Sequence, residues 1–153
     1  FNDYTFFFSL LGRSEQEGLF ARQINIGEGG FKNAPGSAYR NVIGQSNDLL
    51  VAVNLSTDLP IAFPALFPLE VFLDVGWYSV PEGVEKTSTV TWSSGFMLRY
   101  FNEAVGVYLP IAFSEDLREV YRQSDRTALF SRLTFSVDLA RLHPWELLDQ
   151  IRF

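Results

Sequence analysis

Cysteine is absent from the 153-residue chain, and histidine occurs once, at His143. The first absence excludes a disulfide scaffold, a thiolate nucleophile and a thiolate metal site. The second removes the paired histidines of a zinc hydrolase, and no cofactor is expected. Basic residues are scarce, 12 against 18 acidic ones, and the net charge of −6 argues against nucleic acid as a partner. Only two of the twelve are lysines, Lys32 and Lys86. No run of 18 apolar residues exists, so no transmembrane helix is expected, although a bilayer can also be crossed with strands. The chain opens on Phe1 with neither a Met nor a secretory leader, which reads as a cut or processed piece of a longer protein.

Aromatic residues are in excess: 16% of the chain, with 15 Phe, 6 Tyr and 3 Trp. With 47% hydrophobic and 20% charged residues, the composition suits one folded domain over 1–153.

Alternation with a period of two is the main signal along the chain. From Phe67 to Ser79, the residues Phe67, Leu69, Val71, Leu73, Val75 and Trp77 share one face, against Pro68, Glu70, Phe72, Asp74, Gly76 and Tyr78. Thr89 to Phe101 sets Val90, Trp92, Phe96, Leu98 and Tyr100 against Thr91, Ser93, Gly95 and Arg99. Leu129 to Leu139 sets Leu133, Phe135, Val137 and Leu139 against Arg132, Thr134, Ser136 and Asp138. Weaker strands are predicted over Tyr4–Leu11, Leu19–Ile26, Leu49–Thr57 and Val105–Phe113, the last an edge or bent strand because of Pro110. Several are long enough, at roughly 3.3 Å per residue, to cross about 30 Å. Turns are expected at 12–18 and 102–104, and Gly27 to Asp48 reads as an exposed or functional loop. Ser114 is placed to cap a short helix carrying Leu117, Val120 and Tyr121, and His143-Pro144-Trp145 to open a terminal helical turn.

Catalytic signatures are missing. No Gly-x-Ser-x-Gly turn occurs, and Gly27-Glu28-Gly29-Gly30 lacks the Lys-Ser/Thr of a phosphate loop. Glu70 and Asp74 share a strand face, but four positions along a strand separate them by about 13 Å. A glycosidase pair stands roughly 5–9.5 Å apart. Asp138 could close that gap only through a cross-strand registry. The bland reading is polar groups on a solvated or lumen face.

The aromatics then admit two readings. In a soluble β-sandwich they fill the space between two sheets, and the 27–48 loop is free to bind a ligand. In a membrane barrel the apolar faces meet lipid, and Trp77, Tyr78, Trp92, Tyr100 and Tyr108 are candidates for an interfacial girdle. Lipid-facing candidates are Leu69, Val71, Leu73 and Val75, with Leu133, Phe135, Val137 and Leu139.

The order of short motifs adds a resemblance. They are Gly29-Gly30-Phe31, Ser46-Asn47-Asp48-Leu49-Leu50, Asn54 to Pro60, Leu73-Asp74-Val75-Gly76, Gly95-Phe96-Met97-Leu98 and Val107-Tyr108-Leu109-Pro110. The ending Arg132 to Leu139, followed by His143 to Leu148, completes them. Together they resemble the C-terminal, β-rich region of large aminopeptidase-N-like (gluzincin) metallopeptidases of Gram-negative bacterial envelopes. The resemblance implies an accessory β-domain in the outer membrane or cell envelope, whose partners are the lipid bilayer and the upstream domains of its own parent chain. The family's zinc-binding helix lies upstream, and no residue here matches it. The expected fold class is therefore all-β: an antiparallel meander of long strands, an outer-membrane-type barrel or part of one, with one or two short helices near the C-terminus.

Overall fold

The computed structural model describes residues 8–11, 22, 24, 30–34, 43–46, 49–59, 68–79, 90–124, 127–139 and 141. Two short strands, β1 (Phe8–Ser9) and β2 (Gln45–Ser46), pair with each other. The main sheet comprises β3 (Leu50–Asp58), β4 (Leu69–Tyr78), β5 (Val90–Tyr100), β6 (Val105–Phe113) and β7 (Thr134–Val137). Helix α1 (Glu115–Gln123) and a 3-10 turn (Leu129–Arg132) separate the last two strands. The sheet is an antiparallel meander in the order β3-β4-β5-β6-β7, and it is not closed into a barrel.

The four long alternating segments form β3 to β6, with ends within about two residues of those the alternation predicts. Leu129 to Leu139 departs from expectation, because only Thr134–Val137 is strand. Two contacts wind its first residues into a 3-10 turn. Ser131 Oγ donates to the Ala128 carbonyl at 2.6 Å, and Arg132 donates to the Thr127 carbonyl at 2.7 Å. The turn at 12–18, the terminal helix with His143 and most of Tyr4–Leu11 and Leu19–Ile26 lie outside the described residues.

Pro110, expected to make its strand an edge or a bent one, sits in an interior strand of the sheet, at an irregularity. The resolution is local. β7 pairs only with Val105 to Tyr108, so at Pro110 β6 has a partner on one side alone. On that side the register with β5 slips between Ser94 and Gly95, and Gly95 faces Pro110. A β-carbon on Gly95 would stand 2.1 Å from the Leu109 carbonyl oxygen and 2.8 Å from Pro110 Cα. Both are backbone atoms that cannot rotate away. Gly95→Ala is expected to destabilise the fold by about 1–3 kcal/mol, read as a lower denaturation midpoint at unchanged slope.

The β5–β6 hairpin turns through Phe101, Asn102 and Glu103, with φ of 55°, 53° and 68°. Three successive non-glycine residues in the left-handed region are costly, so neighbouring contacts must hold them. The Ala104 amide donates to the Phe101 carbonyl at 3.0 Å, and Glu103 accepts from Arg99 at 2.6 Å and Arg141 at 3.2 Å.

The core lies on one side of the sheet. Leu10, Leu11, Phe31 and Ile43 cluster there with Tyr78, Phe113 and the helix residues Leu117, Val120 and Tyr121. A smaller cluster joins Ile24, Ala34, Phe72, Met97 and Tyr108. Burying each such side chain contributes about 1.5–3 kcal/mol. Gly27 to Asp48, expected as an exposed or functional loop, is not exposed: it is buried at both described stretches, 30–34 and 43–46, except for Gln45, whose side chain lies outside the description. Apolar Phe31, Ala34 and Ile43 seat it, a signal masked by the surrounding Gly, Asn and Ser.

Candidate functional site: an apolar outer face over a charged interior

Registry divides the sheet into two chemically distinct faces. Val53, Val75 and Trp92 align across β3, β4 and β5, as do Leu55, Leu73 and Ser94, and Thr57, Val71 and Phe96. Phe96 continues to Leu109 on β6, and Val107 to Phe135 on β7. This face is almost wholly apolar, yet its residues are half-buried to exposed: Leu55 is 55% exposed and Trp77 50%. Among the described residues nothing packs across it. The opposite face carries Asn54, Glu70, Asp74, Thr91, Ser93, Arg99, Thr134 and Ser136; it is buried over most of β4 and β5 and open on β3, where Asn54 and Ser56 are exposed. In a water-soluble sheet the apolar face turns to the core and the polar face to solvent. Here both faces carry apolar side chains: the inner one sets Phe72, Tyr78, Met97 and Tyr108 into the core beside its polar groups, and the outer one has no cover among the described residues.

Leu69, Val71, Leu73 and Val75 all stand on the outer face, as do Phe135 and Val137. Leu133 is half-buried just before β7, and Leu139 lies beyond its end, 78% exposed. Trp77 and Trp92 are adjacent at one end of the outer face, while Tyr100 stands at the other with the ring of Phe101 at 6.5 Å. Tyr78 and Tyr108, expected as interfacial girdle candidates, do not share this face. Each has the parity of the inner face and is buried, 0% and 3% exposed. Tyr78 follows Trp77 directly, so the two rings cannot share a face. Tyr108 bonds Ser136 Oγ at 2.9 Å and meets Phe72 edge-on at 6.4 Å. Ser94, the hydroxyl in the middle of the outer face, donates to the Phe72 carbonyl at 2.9 Å. Its polarity is thereby satisfied without water.

The inner face is organised by two ion pairs. The Lys32 ammonium donates to Asp74 Oδ1 at 2.6 Å and the Lys32 amide to Oδ2 at 2.9 Å. Asn54 Nδ2 adds a third bond to Oδ1 at 2.7 Å and reaches the Gly30 carbonyl at 3.3 Å. Both charged side chains are nearly inaccessible, 6% and 0% exposed. The ammonium also lies 5.0 Å from the centre of the Phe72 ring, and Thr134 Oγ1 donates to the Lys32 carbonyl at 2.9 Å. Segment 30–34 is thus tied to β3, β4 and β7 by polar bonds. The second pair is bidentate: Arg99 donates to Glu70 Oε1 at 2.8 Å and Oε2 at 2.5 Å. A chain of exposed pairs runs on through Glu103 and Arg141 to Asp138.

This geometry bears on catalysis directly. Glu70 and Asp74 are each engaged by a cation and turned into packed protein. Asp138 is exposed and bonded to Arg141, so the three carboxylates do not converge. Among the described residues no group of His, Asp and Glu is placed to hold a metal ion. Ser114 starts α1 as expected, but its side chain accepts no cap bond from the helix amides. Its hydroxyl instead pairs with Thr91 Oγ1 at 2.8 Å. Lys32, Asn54 and Arg99 were not singled out by the sequence. The signal available for Arg99 was its parity with Glu70 across adjacent strands.

Fold and site together define an open antiparallel sheet with a bare apolar face and an ion-paired interior. No protein-family model matches the chain, and neither a curated protein nor a solved structure is detectably similar to it.

Proposed function

We propose that the chain is a non-catalytic membrane-anchoring or scaffold β-domain whose apolar face meets the lipid of a bacterial outer membrane or cell envelope. The apolar outer face left without cover carries this reading. Lipid replaces the missing cover over Val53, Val71, Leu73 and Phe96, while charges are neutralised in pairs inside, as in the wall of an outer-membrane barrel. Strands of 9 to 11 residues match the length such a wall requires. Trp77 and Trp92 at one end and Tyr100 at the other mark the two interfaces. Further strands would complete the wall. The parent is read as an envelope metallopeptidase with the zinc chemistry upstream; that part rests on the motif resemblance alone.

Flotation tests the reading. The chain, mixed from denaturant into neutral phosphatidylcholine vesicles, is expected to rise with them and to resist extraction by alkaline carbonate. Tryptophan emission should shift to the blue as Trp77 and Trp92 leave water. Recovery as a folded monomer in detergent-free buffer would return the apolar face to the interior of a soluble sandwich and end the membrane reading.

A further inference from the structure

We propose that the cavity between the end of β6, α1 and the 3-10 turn binds the phosphate of an anionic lipid headgroup, an inference that rests on the membrane reading above. The cavity measures about 300 Å³, and Arg118, Arg122 and Arg132 all line it. Among the described residues no carboxylate lines it, in a chain that carries a net charge of −6. Three guanidiniums around one concavity form an anion site, since each presents a planar fork matched to phosphate oxygens.

Arg132 is held in place before any ligand arrives. Its guanidinium lies 5.2 Å from the centre of the Phe113 ring and 5.9 Å from that of Tyr121. The two rings are themselves stacked at 4.8 Å, and one guanidinium nitrogen is fixed by the Thr127 carbonyl at 2.7 Å. Arg118 and Arg122 are adjustable. Arg118 meets Glu115 at 2.5 Å, and Arg122 stands 3.6 Å from Glu119 and 3.9 Å from Glu115. These glutamates are more than half exposed, and exposed pairs of this kind contribute little. A phosphate entering the cavity can therefore draw both arginines across.

Position argues for a lipid in preference to a soluble phosphate. Ile111, exposed at the end of β6, forms one wall of the cavity. The Ser114 amide donates to the Trp92 carbonyl at 2.9 Å, which sets the start of α1 level with an interfacial tryptophan. Leu129 and Phe130, 42% and 75% exposed, project from the 3-10 turn beside Arg132. Basic groups at that level with apolar side chains alongside match a headgroup and its acyl chains.

The test reconstitutes the chain in neutral phosphatidylcholine, adds phosphatidylglycerol, and identifies retained lipid by native mass spectrometry. Phosphatidylglycerol should be retained in preference to phosphatidylcholine. Arg122→Gln with Arg132→Lys, a pair that keeps the helix and most of the packing, should weaken that preference about tenfold. Arg141→Ala, at the opposite end of the sheet, should leave it unchanged. Equal retention of the two lipids, or an undiminished preference in the double variant, overturns the site while vesicle flotation still stands. Failure to float in neutral vesicles defeats the membrane reading itself. Inorganic phosphate bound through the same arginines without lipid overturns the lipid assignment.

Discussion

Asp74→Ala will destabilise the domain by about 3–5 kcal/mol, the usual loss when one partner of a buried ion pair is removed. The magnitude follows from what remains behind. Asp74 accepts three bonds, from the Lys32 ammonium, the Lys32 amide and Asn54. Without it, an ammonium that is 6% exposed faces the Phe72 ring with no counter-charge. The double variant Lys32→Met, Asp74→Ala should recover much of the loss, because both charges then leave together. Chemical denaturation of the four proteins checks the cycle. If the double variant is as unstable as the sum of the singles, the pair is not coupled and the account of the inner face is wrong. Stability here is a statement about segment 30–34 as well. Its attachment depends on this carboxylate, so the single variant should also admit proteases to the chain around Lys32.

Val71→Arg should cost about 2–4 kcal/mol in a bilayer, the range for a basic residue near the middle of a lipid-facing strand. Val71 lies opposite Phe96, one residue from the centre of β5, and its cross-strand neighbours Thr57 and Phe96 cannot pair the new charge. Arginine at Ser56, exposed on the other face of β3, should change stability by no more than about 0.5 kcal/mol. Folding yield into phosphatidylcholine vesicles, with detergent-free solubility as the second measure, separates the two positions. Equal yields for both, or a soluble folded Val71→Arg chain, would remove lipid from the outer face.

Alternation made β3 to β6 legible because each side chain direction is set by strand geometry alone. It also paired the residues correctly into faces: Val71 with Leu73, Glu70 with Asp74. Which face is buried could not be read there, since that depends on what lies against the sheet. Part of the cover proved to be segment 30–34, beside Leu10, Leu11, Ile43 and α1, and its Gly-Phe-Lys-Asn-Ala order has no period. Lys32 and Asp74 are 42 positions apart, and no local rule joins them. Tyr78 and Tyr108 were legible in principle. Their parity opposes that of Trp77 and Val107, and side-chain type outweighed position in the expectation of a girdle. The 3-10 turn at Leu129 escaped for a different reason. Alternation cannot register the side-chain bonds of Ser131 and Arg132 to backbone carbonyls.

The meander also leaves its two ends unequal. At one end the connection 59–68 contains no charged residue, and the β5–β6 turn contains only Glu103. Arg99, Arg141 and Asp138 beside that turn pair with one another through it. At the other end the connections hold Glu82, Glu85 and Lys86, and eight more charged residues lie between Ser114 and Leu133. Drawing those through hydrocarbon costs far more than drawing through one glutamate. On the proposed membrane reading, insertion would accordingly be vectorial: the Phe101–Ala104 tip would lead, and the end bearing α1 would stay on the side from which the chain arrived.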